Sequence, residues 1–258
     1  MLMNMNKLFS VENLIVIITG SGKGIGHTLS ESFADNGAIV YSISLNFNNK
    51  IPSNLKNSLF QEICDVRNKN KFKKICKKIY EKHGKIDVLI NNAGITLTSS
   101  DDTSYSIDDW NKTLEVNLTA GFNCANSVFE HMLKNKSGSI INITSINAEL
   151  GFPKNPYYVA SKGGLKMLTK ALARDWGKYG IRINNLGPGY FKTEMTKKSY
   201  SDLRKRKSRS DRTMLGRWGT TDELVGPAIF LASNASSYVT GQDLYVDGGW
   251  TSNGLSNE

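Results

Sequence analysis

The stretch Leu14-Ile-Val-Ile-Ile-Thr-Gly-Ser-Gly-Lys-Gly-Ile-Gly26 decides how the rest of the chain is read. An unbroken apolar, β-branched run has the composition of a strand buried on both faces. It ends in a glycine-rich turn, and a helical pattern follows near residues 24–36. Glycines there permit a tight turn and let backbone approach a pyrophosphate, whose charge a helix N-terminus favours. Outward from this unit, strand patterns recur at residues 38–44, 59–64, 86–91, 139–144, 181–186 and 243–246. Helical patterns lie between them near 68–83, 107–134, 156–179 and 221–232. Buried strands alternating with helices predict an α/β fold, a Rossmann-like doubly wound parallel sheet of seven strands flanked by helices. No repeat or linker divides residues 1–258, so a single dinucleotide-binding domain is expected.

Composition fits that architecture. The chain has 258 residues, 39% hydrophobic and 22% charged, a balance that excludes disorder, collagen and coiled coil. No apolar run approaches the roughly 18 residues a membrane span needs. The opening Met1-Leu-Met-Asn-Met-Asn-Lys7 lacks the apolar core of a secretory signal, which sets the expectation of a cytoplasmic protein. Cys64, Cys76 and Cys124 show neither metal-ligand nor redox spacing, and His27, His83 and His131 are equally dispersed, so no metal site is expected. The formal net charge of +10 raises nucleic acid, a membrane surface or an anionic substrate as partners. Eight lysines between Lys69 and Lys85 alternate with Phe72, Ile75, Cys76 and Ile79 at helical spacing, which predicts the solvated face of one amphipathic helix. No aromatic-interleaved basic groove points to nucleic acid, and no membrane partner is expected.

Several motifs, in order from Thr19 to Gly249, together resemble the short-chain dehydrogenase/reductase family. Thr19-Gly20-x-x-x-Gly24-x-Gly26 resembles its cofactor loop, and Asp65-Val66 the pair beside the adenine. Asn91-Asn92-Ala93-Gly94 resembles the segment lining the nicotinamide side. Pro188-Gly189 with Thr193 resembles the nicotinamide-end turn, and Val246-Asp-Gly-Gly249 the terminal strand motif. Asn117, Ser145, Tyr158 and Lys162 match the four catalytic positions. The resemblance implies cofactor contacts from Gly20, Ser21, Lys23, Gly24, Ile25, Gly26, Ser44, Asp65, Val66, Asn92, Ala93, Gly94, Tyr158, Lys162, Pro188, Gly189 and Thr193.

The chemistry has its own logic. Tyr158 and Lys162, four apart on a helix, share a face. A tyrosine with a free pKa of about 10 is a poor base at neutral pH, and a neighbouring ammonium is expected to favour the phenolate. Ser145 would donate to the substrate oxygen where charge develops. By the resemblance, Lys162 also binds the nicotinamide ribose and Asn117 holds a water that relays protons to it. Adjacent Tyr157 competes for the tyrosine role, and the assignment to Tyr158 rests on Lys162 and on the interval from Ser145. NAD-preferring members place an Asp at the end of the second strand, and that position falls here on Ser44, followed by Leu45. With Lys23 in the glycine loop, this favours NADP(H) and leaves NAD(H) open.

Residues 190–219 are expected to form the lid over substrate, and they hold the basic cluster Lys197, Lys198, Arg204, Lys205, Arg206, Lys207, Arg209 and Arg212. It reads either as a solvated helix or as an attractor of an anionic substrate. Gly189-Tyr-Phe-Lys-Thr-Glu-Met-Thr196 and Leu215-Gly-Arg-Trp-Gly219 resemble sugar dehydrogenases of the gluconate 5-dehydrogenase type. The favoured reading is therefore an oxidoreductase interconverting a secondary alcohol and a ketone on a sugar, a sugar acid or a related polar substrate. The alternative is a 3-oxoacyl-carrier-protein reductase, whose carrier-docking arginines appear here as Lys136 and Tyr179. A non-catalytic dinucleotide-binding regulator is the remote third reading. The resemblance also implies a homotetramer, with Phe122, Val128, Phe129, Leu165 and Leu168 as surplus apolar surface.

Overall fold

A computed structural model describes residues 5–254. Met1–Asn4, part of the opening read above for a signal, and the last four residues of the expected 1–258 domain lie outside them. Seven strands, β1 (Ile15–Thr19), β2 (Ile39–Ser44), β3 (Leu59–Ile63), β4 (Val88–Asn91), β5 (Gly138–Ile143), β6 (Ile181–Pro188) and β7 (Asp243–Val246), form one parallel sheet in the order β3-β2-β1-β4-β5-β6-β7. The order reverses between β1 and β4, which opens the crevice where such sheets bind ligands, beyond the carboxyl ends of the strands.

Nine α-helices are described: α1 (Met5–Leu8), α2 (Gly24–Asp35), α3 (Lys69–His83), α4 (Ile107–Leu114), α5 (Ala120–Asn135), α6 (Pro156–Trp176), α7 (Lys197–Ser201), α8 (Leu203–Arg212) and α9 (Val225–Ala232). Alternation along β1 serves two cores. Ile15 and Ile17 join the layer beneath α3, α5 and α6, whereas Val16 and Ile18 join the layer with α2 and α9. Helix α3 buries Phe72, Ile75, Cys76 and Ile79, and its lysines line the outer face as its spacing predicts. No helix among the described residues is long and apolar enough to cross a membrane.

The long helix expected over residues 107–134 is interrupted. Glu115–Thr119 form a π-helical turn between α4 and α5, and Asn117 lies within it. Single π turns inside α-helices are frequent at functional sites. The apolar periodicity runs through this turn without a break, so no signal in the pattern marks it. The surplus apolar surface also sorts differently. Val128 and Leu165 are core, Phe129 and Leu168 pack against it, and Phe122 remains exposed.

A chain of buried polar side chains crosses the sheet. Asn91 Nδ2 donates to Asn142 Oδ1, Asn142 Nδ2 to Thr169 Oγ1, Thr169 Oγ1 to Asn185 Oδ1, and Asn185 Nδ2 to Asp243 Oδ1. It fastens β4 through β7 to α6, and Thr169 at its centre is fully buried. Thr169→Val keeps the shape but leaves one donor and one acceptor without this partner, each worth about 1–3 kcal/mol. The expected loss is about 3 kcal/mol, read as a melting temperature lower by about 6–12 °C, with Thr169→Ser restoring most of it.

Candidate active site

The crevice is built from the glycine loop upward. Thr19 at the end of β1 accepts at Oγ1 from the backbone N–H groups of Asn92 and Ala93, 3.1 Å each. Asn92 Nδ2 returns bonds to the carbonyls of Thr19 and Gly20. This reciprocal clamp holds the loop against the segment after β4 so closely that only glycine fits. A Cβ on Gly20 would stand 2.7 Å from Ala93 Cα, and one on Gly22 would meet the Asn46 carbonyl and, at 2.7 Å, Ser44 Oγ. Helix α2 begins at Gly24 with Lys23 as its N-cap, without a side-chain cap and with no acidic residue in the first turn. Its leading N–H groups are therefore free of side-chain caps and face the loop, the arrangement that receives a pyrophosphate. These features fit a dinucleotide.

The other expected cofactor positions converge on the same edge. Ser21 donates to the Ile43 carbonyl at the end of β2, beside Ser44 and exposed Leu45. Ile25 is half-buried in the first turn of α2. Val66 is buried, and the Asp65 carboxylate is held by the Arg67 guanidinium at 2.6 Å, which lowers its pKa. Gly94 faces Asn117 Oδ1 and Lys162 Nζ, which stand 3.3 and 3.6 Å from where a Cβ would be. Pro188 ends β6, and Gly189 N–H bonds the Val246 carbonyl. Thr193 approaches the loop from the lid, its Cβ 3.6 Å from a Cβ built on Gly24.

Ser145 follows β5, while Tyr158 and Lys162 occupy the first two turns of α6. The Ser145 hydroxyl lies close enough to the Tyr158 phenol to lower its pKa, and it donates to Asn147 Oδ1 at 3.3 Å. Its Oγ also accepts from Asn147 N–H at 3.2 Å. Lys162 is 4% exposed and donates to the Ile143 carbonyl at 2.7 Å, with Nζ 5.6 Å from the Tyr158 ring centroid. Tyr157 is separated from this group. Its hydroxyl accepts from Ser106 N–H at 2.6 Å, and its ring packs edge-on to Tyr105 and Trp110. Of the two adjacent tyrosines, Tyr158 is the one beside Ser145 and Lys162.

One expectation is corrected here. Burial pushes the Tyr158 phenol up to about 12, with the Ser145 hydroxyl pulling it back, and burial pulls Lys162 down to about 8. Desolvation therefore outweighs the ammonium that was expected to lower the phenol, because both groups are enclosed and Lys162 is turned to a carbonyl. Asn117 Oδ1 accepts from Ile95 N–H at 2.8 Å, and its Nδ2 donates to the Ile95 carbonyl and to Ser161 Oγ. The side chain ties the segment after β4 to α6, and only one lone pair of Oδ1 remains for a water.

Residues 190–219, the expected lid, have a paired base. Phe191 bridges Gly219, Lys192 N–H bonds the Gly219 carbonyl, and Gly219 N–H bonds the Tyr190 carbonyl. Within it α8 starts on Asp202, whose carboxylate accepts from the N–H groups of Arg204 and Lys205. Beneath the lid lies an aromatic cage that the sequence reading did not anticipate. Tyr190 stands 5.0 Å from both Trp218 and Trp250, and Phe152 6.4 Å from Tyr190 and Trp250. Its members are scattered over a hundred residues, and only the Gly248-Gly249-Trp250 run beside the terminal motif offered a clue. Among the described residues no cluster of three His, Cys, Asp or Glu side chains could hold a metal ion.

Comparisons with known proteins agree with this geometry. A family profile described as enoyl-(acyl carrier protein) reductase matches residues 20–251. Gluconate 5-dehydrogenase of Gluconobacter oxydans is 40% identical over 252 residues, covering 95% of this chain and 97% of its own. A 3-oxoacyl-(acyl-carrier-protein) reductase of Chlamydia pneumoniae is 39% identical, covering 92% and 96%. Among solved structures, a gluconate 5-dehydrogenase from Burkholderia cenocepacia, in complex with NADP and tartrate, superposes with a TM-score of 0.88. It is 37% identical and covers 96% of this chain and 99% of its own.

Proposed function

The chain belongs to the short-chain dehydrogenase/reductase family, and from that premise we propose that it interconverts the 5-hydroxyl and 5-keto forms of a sugar acid of the gluconate type, using NADP(H). It is an oxidoreductase acting on CH–OH groups. The observation that carries the substrate is the 40% identity to a gluconate 5-dehydrogenase over nearly the full length of both chains. NADP(H) is supported by Ser44, which places no carboxylate against a 2′-phosphate, and by Lys23 in the loop. Gly20–Gly26, Ser44, Asp65-Val66, Asn92–Gly94, Pro188-Gly189 and Thr193 would hold the dinucleotide.

When bound, the nicotinamide supplies or takes the hydride. The residues of this chain handle the oxygen and its proton. In the reducing direction the Tyr158 hydroxyl, protonated at neutral pH as any tyrosine is and held further up by burial, to about 12, donates to the oxygen that becomes the alcohol. Ser145 donates a hydrogen bond to the same oxygen as charge develops. The Lys162 ammonium stabilises the phenolate that Tyr158 becomes, an interaction made only after proton transfer and therefore favouring the transition state. Asn117 fixes the wall formed by Gly94 and Ile95 opposite Lys162.

Cofactor choice yields the first test of this reading. Ser44→Asp puts a carboxylate where a 2′-phosphate would sit and should shift the NADPH:NADH ratio of kcat/KM at least about tenfold towards NADH. An unchanged ratio would remove Ser44 from the cofactor site. The substrate is tested by comparing kcat/KM for 5-keto-D-gluconate and an acetoacetyl thioester. The sugar-acid reading expects the first to exceed the second, and the reverse would establish the acyl reductase alternative. The three buried free thiols suit a reducing compartment, so we assign the enzyme to the cytoplasm. Exposed Phe122 on α5 and Met167 on α6 support assembly of tetramers through those helices.

A further inference from the structure

Helix α8 is polar from Arg204 onward and buries no residue, yet its basic side chains divide by direction. Arg204, Lys205 and Lys207 face solvent, with Lys205 and Lys207 paired to Asp202 and Asp211. Half-buried Arg206 and Arg209 and exposed Arg212, spaced by three, lie over the rings of Tyr200, of Tyr190 and Trp218, and of Trp250 respectively. Arg209 reaches furthest into the cage, its guanidinium carbon 4.5 Å from the Tyr190 ring. Its Nη1 has essentially no accessible surface and no hydrogen-bond partner, and the same holds for the indole Nε1 of Trp250 on the other flank of Tyr190. The Arg209 guanidinium also interacts with the Tyr190 hydroxyl, yet Arg209 Nη1 and Trp250 Nε1 remain two buried donor atoms without an acceptor of their own. A guanidinium cannot shed its proton to relieve that state, so it calls for an acceptor from outside the chain.

We propose that Arg209 binds the carboxylate of the substrate, with Trp250 Nε1 donating to a neighbouring oxygen, so that the lid helix selects sugar acids over uncharged sugars. The planar fork of a guanidinium matches a carboxylate, and the Tyr190 and Trp218 faces hold it in position. Tyr190 also raises the pKa of the Tyr158 phenol slightly, so the cage acts electrostatically on the proposed proton donor. Because Arg209 is carried by the lid, the charge of the substrate helps hold the lid closed. The assignment rests on the sugar-acid reading above.

The test is tryptophan fluorescence of the NADP-loaded enzyme, since Trp218 and Trp250 lie in the cage. It is titrated with D-gluconate and with its uncharged counterpart D-glucitol. The wild type should bind gluconate at least about 10-fold more tightly than glucitol, the loss expected for one charge-assisted hydrogen bond. Arg209→Gln should collapse that preference to within about 3-fold, and Arg209→Lys should restore part of it. Arg204→Gln, which removes the same charge from the outer face, should keep the wild-type preference. A preference retained in Arg209→Gln, or lost equally in Arg204→Gln, overturns the assignment. Turnover of 5-keto-D-gluconate by the wild type separates the two levels. Turnover with the preference unmoved in Arg209→Gln overturns the Arg209 site alone, whereas no turnover and no gluconate preference overturns the sugar-acid reading with it. A gluconate preference that disappears in Arg209→Gln supports the site whatever the turnover.

Discussion

Replacing Tyr158 with phenylalanine is expected to lower kcat about a thousandfold while leaving the affinity for NADPH within a factor of about three. Positioned proton transfer contributes typically 10²–10⁴ in rate, and the variant removes the proton alone. The ring remains to pack, and Ser145 keeps its contacts with Asn147, so the fold should melt as the wild type does. Tyr157→Phe is the informative control. It removes the acceptor of the Ser106 N–H, a partly buried bond at 2.6 Å, and should lower stability by about 1 kcal/mol with kcat per folded molecule nearly unchanged. Steady-state kinetics beside thermal melts distinguish the two. If Tyr157→Phe abolished turnover and Tyr158→Phe did not, the assignment of the proton donor would be reversed.

The second large effect belongs to Lys162. Lys162→Met should lower kcat/KM by about 10²–10³, because the phenolate formed at Tyr158 loses its neighbouring cation. The same substitution has a stability signature. Burial pulls the Lys162 pKa down to about 8 in the folded protein, whereas the unfolded chain holds that proton up to about 10.4. Between these values the unfolded state binds more protons, so stability rises with pH across the window. Below pH 8 both states are protonated and the cost of burying the charge is fully present. The wild type without cofactor should gain up to about 3 kcal/mol more than Lys162→Met between pH 8 and 10.4, measured by denaturant unfolding. Parallel pH profiles for the two proteins would show that the lysine is not buried as a charge.

Much of this was legible in the chain because the physics is local. Ile15–Thr19 is apolar on both faces and ends in a glycine loop, so both the strand and the direction of the crevice follow from it. Tyr158 and Lys162 share a face by helical spacing alone. Other features depend on what the fold brings together. Residues 203–212 carry no apolar period, so α8 shows in sequence only as charge, and the inward turn of Arg209 depends on Tyr190 and Trp218. The cage unites Phe152, Tyr190, Trp218 and Trp250 from separate connections at one end of the sheet. The direction of the Tyr158 shift was missed for the same reason. A neighbouring lysine is visible in sequence, but the desolvation that outweighs it is a property of the packed site.

The most direct measurement follows a single hydrogen. NADPH deuterated at both C4 positions of the nicotinamide is mixed with 5-keto-D-gluconate and the wild-type enzyme, and the product is examined by NMR. The proposed activity predicts gluconate carrying one deuterium at C5, formed in step with loss of the reduced-nicotinamide absorbance and about a thousandfold more slowly with Tyr158→Phe. Absence of deuterium at C5, with an acetoacetyl thioester instead yielding deuterated 3-hydroxybutyryl product, would contradict the sugar-acid assignment.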